Sequence, residues 1–260
     1  MQKIFSVLVW GGIVLLILFW LPLIFISRVF ERDETRYRTG KLFRKLGLAI
    51  SRINPNWIIT IQGEEKINDR NPYIIVSNHL SNADIPLISN LPWEMKWISK
   101  KELFEVPLVG WMMKMAGDIS VDREANNQKE KVFEDCRFYL DRNCSVMFFP
   151  EGTRSRDGKL GRFKSGAFEF SRRLNIPVLP LVIDGTQDCL PKKTWVFKPQ
   201  VYITLKVLDP VYPEDYQDKS SNQMAAGVRE SILNQLADWR DTDPETIDAT
   251  RDQHQVDDAS

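Results

Sequence analysis

The chain has two histidines, and only His79 stands where an imidazole can work as a base; His254 lies in an acidic C-terminal stretch. Imidazole changes charge near neutral pH, so it can take and return a proton under ordinary conditions. His79 follows the apolar run Tyr73 to Val76 and sits among small polar residues, Ser77-Asn78-His79-Leu80-Ser81-Asn82-Ala83-Asp84. A strand should end there and a helix begin, which exposes the imidazole at an edge of the sheet. Asp84 can hold one ring N–H while the other nitrogen takes a proton from a hydroxyl. On a regular helix a five-residue spacing sets the two side chains about 140° apart. The pair therefore needs a turn, with Ser81 or Asn82 capping the helix that carries Asp84.

A second group lies downstream. Phe149-Pro150-Glu151-Gly152-Thr153-Arg154-Ser155 follows an apolar strand and opens into a loop rich in glycine and basic residues. Backbone N–H groups near Gly152, with the Arg154 guanidinium, suit a phosphate. Glu151 suits a hydrogen bond from a substrate hydroxyl or the orientation of an arginine; the plainer reading is a polar turn with a local Glu–Arg pair. Lys164 precedes the next helical segment, Arg123 follows Ile119-Ser120-Val121-Asp122, and Lys100 and Lys101 follow the segment ending at Ser99. Any one of these cations is ordinarily solvated surface. Their repeated placement beside strand ends points to one anionic site. Cys136, Cys144 and Cys189 have neither metal-ligand nor disulfide spacing and read as buried small hydrophobes.

These groups need a scaffold. Alternation predicts strands over Trp57–Ile61 and Val201–Val207, with further strands at Ile74–Ser77, Met95–Ser99, Ile119–Val121, Ser145–Phe149 and Val178–Ile183. Helical spacing falls at Ala83–Ser89, Pro107–Met115, Asn127–Arg142, Ser165–Leu174 and 220–239. Strands interleaved with helices predict an α/β fold, a single mixed and largely parallel sheet flanked by helices.

The ends differ from this body. Ile4 to Ile26 is a 23-residue run without a charged side chain, long enough for a bilayer core of roughly 30 Å. Residues 1–27 therefore read as a membrane-anchoring helix. The basic residues after it, from Arg28 to Lys45, place the following domain on the cytoplasmic side. Pro22 admits a kink, and with it insertion in one leaflet instead of a crossing. Residues 28–54 read as a basic amphipathic helix: Leu42, Phe43, Leu46, Ala49, Ile50 and Ile53 share a face, with Arg38, Lys41, Arg44, Lys45 and Arg52 at other positions. Such a helix lies in the headgroup region or packs on the domain as a surface helix. Residues 241–260 carry seven acids and one base, which leaves the first 240 with a net +6 in a chain of zero formal charge. A basic body suits an anionic surface or a phosphorylated ligand, and the acidic stretch reads as a disordered tail.

Taken together, the motifs resemble those of the glycerolipid acyltransferase family that includes lysophosphatidate acyltransferases. His79 to Asp84 resembles its first motif, Gly117-Asp118-Ile119-Ser120-Val121-Asp122-Arg123 its second, the segment from Phe149 to Ser155 its third, and Ile176-Pro177-Val178-Leu179-Pro180-Leu181 its fourth. The order fits, over roughly residues 55–210, within a body of residues 55–240. Ser120 departs from the apolar residue common at its position and leaves Arg123 in register. The resemblance implies a membrane-associated enzyme that moves an acyl group from a thioester to the free hydroxyl of 1-acylglycerol 3-phosphate, without an acyl-enzyme. It implies His79 as general base, Asp84 as its orienting partner, and Lys100, Arg123, Glu151, Gly152, Thr153, Arg154 and Lys164 about the phosphoglycerol headgroup. The partners implied are a lysophospholipid acceptor, acyl-CoA or acyl-carrier protein as donor, and membrane lipids. Thioester acyl transfer calls for no metal or redox cofactor. Glycerol 3-phosphate and other lysophospholipids are acceptors the same motifs would serve. A serine hydrolase using Ser77 or Ser81 lacks the Gly-x-Ser-x-Gly elbow, and a non-catalytic lipid-binding protein leaves four ordered motifs unexplained.

Overall fold

The computed structural model describes residues 1–67, 71–122, 128–190 and 194–250. Among them, seven strands form one sheet: β1 (Trp57–Gln62), β2 (Ile74–Ser77), β3 (Met95–Lys100), β4 (Ile119–Val121), β5 (Ser145–Phe148), β6 (Val178–Asp184) and β7 (Val201–Val207). Their order is β1-β7-β6-β2-β5-β3-β4. All pairs are parallel except β6 with β7, which is the mixed, largely parallel sheet expected. The helices are α1 (Gln2–Phe30), α2 (Tyr37–Ile53), α3 (Asp84–Ile88), α4 (Val109–Ala116), α5 (Gln128–Leu140), α6 (Gly166–Leu174) and α7 (Ser221–Arg240).

The strand sequences explain their places. All four residues of β2 are buried, as a central parallel strand requires. Ile74 and Val76 enter the apolar layer shared with α5, α6 and α7, while Ile75 enters the opposite layer with Leu87 and Ile88 of α3. Outermost β1 alternates half-buried and exposed residues. Because β6, β2, β5 and β3 are mutually parallel, their C-terminal ends open on one side, and the loops after them meet there. His79 was expected at an edge of the sheet. It stands instead beyond the C-terminal end of this central strand, its side chain 16% exposed.

α1 runs through Pro22 as one helix, about 43 Å long at ~1.5 Å per residue. It lies along the body over its length. Near its start, Gln2 Nε2 donates to the Phe197 carbonyl at 2.8 Å, Phe197 N–H to Ser6 Oγ at 3.0 Å and Trp10 Nε1 to the Trp195 carbonyl at 2.9 Å. Towards its end, Ile24 packs with Leu46 of α2 and Met112 of α4. The outer side, with Leu8, Leu15, Phe19 and Val29, is exposed.

α2 packs on the body, and one of its basic residues is not on the solvent side. Arg44, placed by its sequence position among the polar residues, is 5% exposed. Its Nη2 donates to both Asp118 oxygens at 2.7 and 2.8 Å, and its Nε lies 3.7 Å from Glu94 Oε2. Lys96 on β3, fully buried, donates to Glu94 Oε1 and to the Ala116 carbonyl, each at 2.8 Å. Burial alone would lower the Lys96 pKa, yet the Glu94 carboxylate beside it raises it above the usual lysine value. Gly40 makes room for this cluster, since a Cβ there would meet Glu94 Oε1 at 1.8 Å. An apolar count misses these charges because each is satisfied by another.

The acidic stretch after Arg240 also departs from expectation. As far as Thr250 it packs against the body: Ile247 is 8% exposed, and Asp248 forms a parallel bridge with Leu160. Leu160 N–H donates to the Ile247 carbonyl at 2.8 Å, and Ala249 N–H returns a bond to the Leu160 carbonyl at 3.1 Å. One apolar residue and one paired aspartate override a composition that reads as disordered. Residues 251–260 lie outside the described part of the chain.

Candidate active site

His79 and Asp84 meet. His79 Nδ1 lies 2.6 Å from Asp84 Oδ2. The same oxygen accepts the Leu80 and Ser81 N–H groups at 2.8 and 3.0 Å, and the Thr186 hydroxyl donates to Oδ1. Asp84 is fully buried, and these donors hold its charge there. The turn that the spacing required is therefore closed by Asp84 itself. The expected Ser81 or Asn82 cap is not formed: the residue before the helix is Ala83, which has no capping side chain, and Ser81 Oγ only accepts the Ala83 N–H at 3.3 Å. Carboxylate contact at Nδ1 leaves Nε2 as the nitrogen that faces other chemistry.

The ring has a second support that spacing did not reveal. Phe149 stacks on it with centroids 3.9 Å apart and planes at 15°. Phe149 follows β5, next to β2 in the sheet, so the aromatic residue before the Pro-Glu-Gly-Thr run could have been suspected as a platform. Asn78 was also missed as a positioning residue. Its amide donates to the Ile183 carbonyl at 2.8 Å and accepts the Ile183 N–H at 2.9 Å, tying the strand end to β6. Neither candidate serine hydroxyl hydrogen-bonds the imidazole among the described residues, and Ser77 is fully buried.

Glu151 turns inward. Its Oε1 accepts the His79 N–H at 2.7 Å and its Oε2 the Gly161 N–H at 2.8 Å. The Ser155 N–H closes the circuit on the His79 carbonyl at 2.8 Å. Burial pushes the Glu151 carboxyl above its ordinary range, opposed by those two backbone donors. Glu151 thus has both oxygens engaged by backbone donors. It fastens the third motif to the first. Gly152 takes φ +73° and donates its N–H to the Phe149 carbonyl at 2.9 Å, a left-handed turn that glycine adopts without strain.

The remaining candidates line a cleft of about 1370 Å³ together with His79: Lys100, Gly152, Thr153, Arg154 and Lys164. Lys101 instead pairs with Asp122 at 3.1 Å outside it. Arg123 lies outside the described residues. The rest of the wall is largely apolar, including Leu103, Val121, Val132, Phe148 and Phe170. The cleft thus offers cations and hydrocarbon contact in the same space as the imidazole.

The loop that carries Arg154 is gripped from behind by α7. Arg229 donates to the Gly161 and Leu160 carbonyls, each at 2.8 Å, and to Asp248 Oδ1 at 2.5 Å. Arg240 donates to the Gly158 carbonyl at 2.9 Å and pairs with Asp184 at 2.6 Å. Replacing Arg229 with methionine removes two loop contacts and leaves Asp248 with its Thr250 donors. Hydrogen bonds to a charged group contribute about 1.5–3 kcal/mol each, so loop opening should rise about tenfold or more, read as faster amide exchange at Leu160 and Gly161.

An acyltransferase family profile matches residues 58–184. The chain is 31% identical to the 1-acyl-sn-glycerol-3-phosphate acyltransferase of Cocos nucifera, over 89% of this chain and 71% of that one. It is 37% identical to the chloroplastic enzyme of that name from Brassica napus, over 61% of this chain and 46% of the relative. The chain thus spans about half the length of such chloroplastic relatives. The crystal structure of the 1-acyl-sn-glycerophosphate acyltransferase PlsC from Thermotoga maritima superposes with a TM-score of 0.77 at 26% identity, covering 92% of this chain and 98% of that one. Sheet, motifs and relatives define an acyltransferase fold. The chain belongs to the 1-acyl-sn-glycerol-3-phosphate acyltransferase family.

Proposed function

We propose that the protein transfers a fatty acyl group from an acyl thioester to the free hydroxyl of 1-acylglycerol 3-phosphate, giving phosphatidate. The observation that carries this reading is one cleft that sets His79, paired with Asp84, beside Lys100 at the end of β3, Arg154 and Lys164 on the β5–α6 connection, and a largely apolar lining. His79 Nε2 takes the hydroxyl proton as the oxygen attacks the thioester carbonyl. The tetrahedral intermediate collapses, the new ester forms, the C–S bond breaks, and the imidazolium returns its proton to the leaving thiolate. Asp84 keeps the ring in register and stabilises its positive form. Lys100, Arg154 and Lys164 hold the headgroup phosphate, with Gly152 and Thr153 shaping the turn between them and Arg123 as a further cation. Glu151 acts through the backbone of His79. No cofactor takes part; acyl-CoA or acyl-carrier protein supplies the acyl group.

The N-terminal helix is long and apolar enough to anchor the protein in a membrane. Because α1 is fastened to the body near both ends, we place it along the bilayer surface with its outer side among the lipids, and the body on the cytoplasmic side with the basic residues that follow. An acceptor already bearing one acyl chain then reaches the cleft without leaving the bilayer.

Thiol release from palmitoyl-CoA by detergent-purified protein tests the reaction. Release that depends on lysophosphatidate is expected. Equal release with no acceptor would mean a thioesterase, and release with glycerol 3-phosphate alone would reassign the acceptor.

A further inference from the structure

The segment after β3 exposes apolar side chains at the protein surface. Leu103, Val106 and Trp111 are 44%, 43% and 52% exposed. Lys101–Glu105 forms a 3-10 turn, whose three-residue period puts Leu103 and Val106 on one face and the acidic Glu102 and Glu105 on another. Leu108 then enters the left-handed region at φ +65°, with Val109 N–H donating to the Pro107 carbonyl at 2.8 Å. That tight, strained corner turns the chain sharply between the 3-10 turn and α4. On α4, Trp111 lies one helical turn from Met115, which packs with Met112 against Ile24 of α1. The helix that carries Trp111 is therefore packed directly on α1. Leu103 also lines the cleft that holds His79.

We propose that the corner Leu103–Trp111 is a second membrane-contacting element, which inserts Leu103, Val106 and Trp111 into the interfacial region of the bilayer and seats the cleft mouth on it. The occupant is a lipid surface, because the patch is carried by α4 and the turn before it, and α4 packs on the helix whose outer side is placed among the lipids. Lys114, exposed on α4, adds a cation that suits anionic headgroups. Trp111 has the apolar body and polar edge that favour this depth. The inference rests on the membrane reading of α1 and is independent of the chemistry at His79.

The test uses an environment-sensitive fluorophore on Val106→Cys in the full chain. The native cysteines do not compete for the label, since all three are buried and burial raises the Cys144 thiol to about 12. The same label on Ser231→Cys, on the exposed side of α7, is the control. On vesicles of equimolar phosphatidylcholine and phosphatidylglycerol, the Val106 probe should shift to the blue and lose most of its emission to lipids carrying a nitroxide high on the acyl chain. The Ser231 probe should do neither. The double change Val106→Glu, Trp111→Glu should weaken vesicle partitioning about tenfold or more. Vesicle-bound protein in which both probes behave alike would overturn the proposal while leaving α1 as the anchor. Absence of vesicle binding would overturn both.

Discussion

Replacing His79 with alanine is expected to lower the rate of acyl transfer by about 10²–10⁴-fold, the range for loss of a positioned general base, with little change in thermal stability. The environment of Asp84 is the reason for the second half. When the imidazole goes, Asp84 keeps the Leu80 and Ser81 N–H groups and the Thr186 hydroxyl, so no buried charge is left without donors. The loss otherwise is a stacking contact with Phe149. Asp84→Asn should behave differently, because an amide cannot accept from all those donors, and both activity and stability should fall. Thiol-release rates beside thermal unfolding of the two variants make the check. An alanine variant that keeps near-native turnover would remove His79 from the mechanism.

Lys96→Met should be among the most destabilising single changes in the body. Its ammonium donates to Glu94 and to two backbone carbonyls, those of Ala116 and Arg36 at 2.8 and 3.3 Å, and lies 5.5 Å from the Tyr139 ring centroid. Without it, Glu94 faces only the Arg44 Nε at 3.7 Å. Breaking a buried pair by removing one member costs about 3–5 kcal/mol, which for a domain of this size lowers Tm by about 10 °C. Adding Glu94→Gln should restore more than half of the loss, since the remaining charge is then gone. An unchanged Tm in the single variant would mean that Glu94 is already neutral in the fold.

Much of the fold could be read directly because its strands follow simple rules. The fully buried β2 and the alternating β7 were each legible at their true positions, and Ile119–Val121 at its true length. The His79–Asp84 pair was legible as a pair, yet its turn was assigned to the wrong residues. A carboxylate that caps its own N-terminal turn leaves the same letters as one capped by serine. Thr186 and Phe149 escaped because they follow β6 and β5, and only strand order brings them to β2. Arg44, Glu94, Lys96 and Asp118 escaped for another reason: charge marks a surface position unless its partner is known. The closing segment at Ile247 and Asp248 was hidden in an acidic composition for the same cause.

That closing segment bears on how the protein is made. Synthesis proceeds from the N-terminus, and domains assemble in that order. α1 leaves the ribosome first, whereas the residues that bridge Leu160 and receive Arg229 come some two hundred and twenty positions later. β1 likewise waits for β7 to arrive before it has a neighbour. With α1 as the proposed anchor, a nascent chain would be tethered to lipid well before the loop bearing Arg154 is gripped from behind. Translation that stops at Arg240 would leave that loop without its last fastening, the contact of Leu160 with Ile247 and Asp248.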